Sequence, residues 1–307
     1  FKDAYRAHPY GQPILGPAEN VASFDRDRVR AFFERWYTPE NMVVVVAGDF
    51  DAKELRAEVE AAFADAQPGG ASRNRPAEPR QEEIRVRVLE RPFERARFDL
   101  SWAGTSMHDA DSTYLDLLSF VLGESESSRL VRTVKEREGF VERIDSSSYS
   151  PIDPGLFSVT GETSAERVLD ALATIARETE RLRCEPVSAE ELERARANFL
   201  ATEHFERESV SGCATKLGSF HVLGGDWKME DRYFEQVRTA TPEDLQRVAR
   251  ATLDLDQLSA GIMLPAAEAE AAGITPERIR ETLETACAQT RSRFEPPARR
   301  PEGQSVH

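Results

Sequence analysis

Apolar and polar positions divide the chain into stretches of different period. At the start, Phe1 to His8 reads as a helix. Val29, Phe32, Phe33 and Trp36 recur at helical spacing after Asp25 and predict a second helix, which Pro39 and Asn41 stop. Met42 to Ala47 is an unbroken β-branched run, the pattern of a strand covered on both faces. Gly48 and Asp49 turn the chain, and Asp51 is placed to cap a helix carrying Leu55, Val59, Ala62 and Phe63. One strand cannot close a sheet, so its partners are expected ahead of Phe1 or on another chain. Residues 1–66 are accordingly expected to pack on the domain C-terminal to them, or to be less ordered than it.

Residues 67–82 are rich in Pro, Gly and Arg and carry no apolar anchor, which predicts a linker and a domain boundary. Residues 83–265 then read as one complete α+β unit, a mostly antiparallel sheet packed against helices. Ile84, Val86 and Val88 alternate as a first strand, and Phe98, Leu100 and Trp102 as a second. Asp111 is placed to cap a helix that turns Tyr114, Leu117, Leu118 and Val121 inward, and a further helix is expected from Ser128 to Arg137. Strands are predicted near Ile144–Tyr149 and Leu156–Thr160, then a long helix over Ala165–Leu182. Ser188 with Glu191 has the form of a capping box and starts a helix reaching about Glu208. Helices around Phe220, Tyr233 and Leu245–Leu253 lead to a last strand, Leu258–Leu264. The strands come in pairs between groups of helices, with too few βαβ units for a Rossmann sheet. Residues 266–307 predict one helix from Thr275 to about Thr290 and a Pro/Arg tail, together a linker toward a following half.

Length and charge narrow the picture. At 307 residues the chain has room for about two domains at roughly 150 residues each. A formal charge of −15 argues against nucleic-acid binding, which needs clustered Lys and Arg. No stretch approaches the ~18 apolar residues of a membrane span. Three cysteines (Cys184, Cys213 and Cys287) at wide spacing make neither a disulfide framework nor a paired zinc knuckle. The chain opens at Phe1, inside what reads as a helix, so residues are expected to precede it and the compartment, cytoplasmic or periplasmic, stays open.

The stretch His8-Pro9-Tyr10-Gly11, followed by Pro13, Gly16, Phe32, Tyr37, Pro39, Asn41 and Ala47-Gly48-Asp49, resembles the closing part of the catalytic domain in the pitrilysin/insulinase family of zinc metallopeptidases. Leu122-Gly123, Ser128-Arg129-Leu130, Gly139-Phe140, Leu217-Gly218, Gly225-Asp226 and Thr241-Pro242-Glu243-Asp244 resemble that family's second, non-catalytic domain. The resemblance covers residues 1 to about 265. It implies a zinc endopeptidase that cleaves peptides inside a clamshell of two halves, of which this chain supplies chamber wall and substrate-binding surface. A second reading is a scaffold or partner subunit of a catalytically inactive relative. An unrelated α+β binding module is a third, and demands a different topology over residues 83–265.

Family members bind zinc through an inverted H-x-x-E-H motif, two His on one helix face with a Glu that activates the bound water. None of His8, His108, His204, His221 and His307 has a second His four residues away, so no helical pair of that kind exists here. Zinc is therefore expected in the full-length protein and not on this chain, which by itself is expected to be inactive. Gly123-Glu124-Ser125-Glu126-Ser127 lacks the final Gly of a nucleophile elbow. The family's substrate-binding Arg and Tyr fall on Lys135 and Glu142, which lack the guanidinium fork and the phenol. Arg132 and Tyr149 lie nearby but out of register. By resemblance, the peptide-anchoring loop and strand are Gly123, Glu124 and Ser125 with Ile144, Asp145, Ser146, Ser147 and Tyr149, where an exposed strand edge offers main-chain bonds to an extended peptide. Expected partners are that peptide, the missing N-terminal part and a second peptidase half.

Overall fold

The computed structural model describes residues 1–70 and 72–294. Its helices are α1 (Ala18–Ala22), α2 (Arg26–Trp36), α3 (Ala52–Ala62), α4 (Ser112–Leu122), α5 (Val168–Cys184), α6 (Ala189–Glu206), α7 (Val210–Gly224), α8 (Met229–Thr239), α9 (Pro242–Thr252), α10 (Ala269–Ala272) and α11 (Pro276–Phe294). Five strands, β1 (Arg85–Arg91), β2 (Ala96–Ala103), β3 (Arg143–Tyr149), β4 (Leu156–Thr163) and β5 (Leu258–Pro265), form one sheet in the order β1-β5-β2-β4-β3. Only β1 and β5 run parallel; the other three pairings are antiparallel. The α+β reading, with its mostly antiparallel sheet, is the observed architecture.

The two-residue period of the strands decides which face is covered. Phe98, Leu100 and Trp102 of β2 lie beside Ile262, Ala260 and Leu258 of β5 and point, with Phe157 and Val159 of β4, into the helical layer. There Leu115, Leu118 and Leu122 of α4, Leu172 and Ile175 of α5, and Leu245 and Val248 of α9 close the core. Each buried Val, Leu, Ile or Phe among them contributes about 1.5–3 kcal/mol. Helices α1, α2 and α3 bury no residue at all. Stability therefore resides in residues 83–294.

Local signals succeed where the partner is local. Asp25 caps α2 through the Arg28 N–H and Asp51 caps α3 through Lys53 and Glu54. Long-range contacts overrule three others. Asp111 sits at the start of α4 without capping it, because its carboxylate takes Arg247 at 2.7 Å. Ser188 caps α6, yet the return half of the capping box is absent because Glu191 accepts two bonds from Arg129, at 2.5 and 2.8 Å. The helix expected as a connector, α11, instead lies on α5 and buries Ile279, Leu283, Ala286 and Cys287 in the common core. The tail with Arg299, Arg300 and His307 lies outside the described residues.

Two expectations in residues 1–66 fail. Phe1 to His8 is a set of turns ending in a 3₁₀ turn at Pro9–Gly11. Its backbone donors are taken elsewhere: Glu78 accepts the N–H groups of Arg6, Ala7 and His8 at 2.7, 2.8 and 2.9 Å, and Pro9 disfavours helix at His8. Met42 to Ala47 is extended but belongs to no sheet, since among the described residues no strand lies beside it to share hydrogen bonds. Val43, Val44 and Val46 are left 45–51% exposed.

The other sheet face is lined by Arg97, Asp99 and Ser101 of β2, Ser158 and Thr160 of β4, and Asp145 and Ser147 of β3, as the strand registers require. Residues 1–10 lie against it. The Tyr5 hydroxyl donates to the Pro154 carbonyl (2.9 Å), Arg85 donates to the carbonyls of Asp3 and Ala4, and Arg87 pairs with Asp3 at 2.8 Å. The segment predicted as a linker is tied down by polar groups: Gln81 is buried, donates to the Leu258 carbonyl (2.7 Å) and accepts from Ser259 (3.1 Å).

Candidate peptide-binding edge

β3 is the outermost strand, paired with β4 alone. An edge strand leaves the N–H and C=O groups of alternate residues without a sheet partner. The alternation of β3 turns Ile144 and Ser146 toward the helices, where both are buried, and Asp145, Ser147 and Tyr149 toward the open side. Ile144 and Ser146 can thus meet a ligand only through their main chain. Tyr149 is 51% exposed and meets the edge of the Phe1 ring.

The loop after α4 is fitted against this strand. A Cβ on Gly123 would stand 3.0 Å from the Asp145 carbonyl carbon and 2.6 Å from the Ser146 nitrogen, the latter closer than a side chain can approach backbone. Only glycine lets the loop reach the strand. The Ser146 hydroxyl donates to the Ser119 carbonyl (2.8 Å), and the Ser119 hydroxyl donates to Glu124 (2.5 Å). Gly123, Glu124, Asp145 and Ser146 are therefore brought together. Ser125 continues the same loop, half-buried, with its hydroxyl 3.4 Å from that of Ser127. Tyr149 stands at the far end of the strand.

Beneath the edge lies a group of acids. Burial pushes the Asp116 carboxyl up to about 6, against the pull of hydrogen bonds from Tyr233 and Ser148. The Tyr233 hydroxyl donates to Asp116 at 2.6 Å. Desolvation also pushes Glu124 up to about 7 although part of the residue is exposed, and the neighbouring Asp145, Asp116 and Glu203 add like charge. Asp145 is raised by burial as well. Asp116, Ser119 and Tyr233 escaped the sequence reading; the signal was there in Asp116 and Ser119, polar positions inside an otherwise apolar helix.

Lys135 lies on a π-helical turn, Val131–Arg137, while Glu142 is paired with Arg95 at 2.6 Å. Among the described residues no hydrogen bond or ion pair joins Lys135 to Glu142. Arg132 is an exposed helix charge. Near His204, both Glu203 and Glu206 are engaged by Lys216, at 2.7 and 2.6 Å. Among the described residues no group of three or more His, Cys, Asp or Glu is placed to hold a metal ion. The described side chains therefore do not fit a zinc centre. No helix among them is long and apolar enough to cross a membrane.

Residues 23–199, more than half of the chain, match the family described as the peptidase M16 inactive domain. A zinc protease of Streptomyces coelicolor is 26% identical over 252 residues, covering 79% of this chain and 54% of the relative. The zinc protease YmxG of Bacillus subtilis is 27% identical over 249 residues, covering 81% and 60%. The chain thus spans little more than half the length of these relatives. Among solved structures, the peptidase M16 inactive domain from Pseudomonas fluorescens superposes with a TM-score of 0.78 at 20% identity, covering 86% of this chain and 63% of that one. With the motifs, the mixed sheet and these matches in agreement, the chain belongs to the peptidase M16 family, the pitrilysin/insulinase-type metallopeptidases that its sequence resembles.

Proposed function

We propose that this chain is the substrate-holding, non-catalytic portion of a zinc-dependent endopeptidase, and that it receives an extended peptide along the free edge of β3. The observation that carries the reading is the unpaired edge itself, backed by the Gly123–Ser125 loop. Main-chain pairing along an edge tolerates many side chains, as a peptidase acting on varied sequences requires. A cationic peptide would restore the charge that burial disfavours on Glu124 and Asp145 beside the edge, in keeping with the net charge of −15. Zinc and the groups that activate water belong, on this reading, to other parts of the longer protein, as does a second half completing a clamshell chamber. The half-exposed valines of residues 43–46 are the surface on which the missing strands of the first domain would pair.

A partner-subunit role without catalysis is the alternative; Glu142, where the family's substrate-binding Tyr falls and which Arg95 engages, fits both roles equally. Both roles share the peptide edge. Titrating the chain with an unstructured basic peptide while following backbone amide resonances tests it. Shifts are expected over Gly123–Ser125 and Ile144–Tyr149, and shifts confined to other residues would refute the assignment.

A further inference from the structure

The free edge of β3 carries side chains of different chemistry at fixed intervals. Its alternation presents Arg143, Asp145, Ser147 and Tyr149 on the open face of the sheet, all exposed. A peptide pairing beside β3 has the same two-residue alternation, so every second side chain of it stands opposite one of these four.

Two of the four can select. Asp145 stands in line with Thr160 of β4 and Asp99 of β2, and Glu124 of the neighbouring loop adds like charge. Among the described residues no Lys or Arg forms an ion pair with Asp145. Arg143, two residues away, stands opposite Glu162, which Arg97 engages at 3.1 Å. A cation opposite Asp145 therefore enters a surround of net negative charge. Tyr149 has another character. Its partner across the strands is Leu156, and the Phe1 ring stands 5.8 Å from its own at 70°. Phe1 lies over β2 and β5, among Asp99, Ser101, Gly261 and Met263, so the half-exposed Tyr149 ring keeps its free side toward the edge. An aromatic ring opposite it gains an offset or edge-to-face contact. Ser147, between the two, is small and leaves the facing residue unconstrained.

Asp145 and Tyr149 are four residues apart, about 13 Å along an extended strand. We propose that the β3 edge reads a basic and an aromatic residue four positions apart in one extended peptide. Antiparallel pairing is the more stable per residue, and it fixes the order: the aromatic residue comes first, against Tyr149, and the lysine or arginine follows, against Asp145. The inference rests on the peptide edge proposed above and adds its selectivity.

The test uses three peptides of identical composition, each a threonine- and serine-rich host with a single phenylalanine and a single lysine. The first carries Phe-x-x-x-Lys, the second Phe-x-x-Lys and the third Lys-x-x-x-Phe. The odd spacing sends the two side chains to opposite faces, and the reversed order sets each against the wrong partner in an antiparallel strand. Affinities for the 307-residue chain are measured by fluorescence anisotropy, and the backbone amide resonances of Ile144–Tyr149 locate the binding. The first peptide is expected to bind about three- to tenfold tighter than either of the others, the gain of two matched cross-strand pairs. Tyr149→Ser and Asp145→Asn alter side chains on the open face, and each should reduce that preference to about twofold or less. Equal affinities with the amide shifts still on β3 would overturn the selectivity and leave the edge standing. Tighter binding of the reversed peptide, or a preference that survives in both variants, would overturn it too. Shifts confined to other residues, or no saturable binding, would overturn the edge and this inference with it.

Discussion

Replacing Glu78 with alanine removes one carboxylate that gathers three consecutive N–H groups, those of Arg6, Ala7 and His8, at 2.7–2.9 Å. Hydrogen bonds to a charged acceptor are worth about 1.5–3 kcal/mol each when desolvated. Glu78 is only half-buried and its three bonds share one charge, so solvent screening reduces the sum to about 1–2 kcal/mol. That corresponds to a roughly 5- to 30-fold increase in local opening of the first ten residues. Burial of Glu78 disfavours its charge, but the three N–H groups outweigh it and hold the carboxyl below its ordinary range. A carboxylate whose folded pKa is depressed stabilises above its unfolded pKa and loses that contribution as pH falls through the folded value, so the clamp should hold at neutral pH and release in acid. Amide hydrogen exchange measures this directly. In Glu78→Ala, residues 6–8 should exchange about 5- to 30-fold faster at pH 7, while Leu100 and Val159 in the sheet keep their protection. Unchanged exchange at residues 6–8, or equal loss of protection in the sheet, would refute the reasoning.

Other substitutions probe the site and its support. Gly123→Val places a branched side chain where 2.6 Å is available, so overpacking of about 1–3 kcal/mol should lower Tm by several degrees and displace the Asp145 and Ser146 amide resonances. The raised carboxyls of Asp116 and Glu124 bind protons more tightly folded than unfolded, so stability should decline as pH rises from about 4 through 6 to 7; in Asp116→Asn, urea midpoints measured across that window should show a smaller decline. Arg129→Lys keeps the charge but loses the two-pronged bond to Glu191, and should cost about 1–3 kcal/mol in urea unfolding.

What was legible in the sequence is what depends on neighbours along the chain. The alternation of Phe98, Leu100 and Trp102, and the helical spacing of Val29, Phe32, Phe33 and Trp36, gave strand and helix because side-chain periodicity is a local property. Alternation predicts the β3 strand, while the pairing of its role with the Gly123 loop rests on motif resemblance, and the structure places loop and strand against each other. What was missed depends on distant partners. Nothing near Glu191 indicates that Arg129 will take its carboxylate, and nothing near Phe1–His8 indicates that Glu78 will take its backbone donors. Met42–Ala47 has the composition of a strand, but a strand also needs a neighbour to bond, and none lies beside it among the described residues. The α11 helix has a weakly patterned surface, and its place in the core shows only once α5 is beside it.

The most direct test of the account measures binding and turnover together. The 307-residue chain, supplied with zinc and an internally quenched basic peptide, is assayed for peptide affinity by fluorescence anisotropy and for cleavage by dequenching. Saturable binding without hydrolysis is the predicted result. Zinc-dependent hydrolysis abolished by chelation would contradict it, because the described side chains would then have to assemble a metal centre that their positions do not provide.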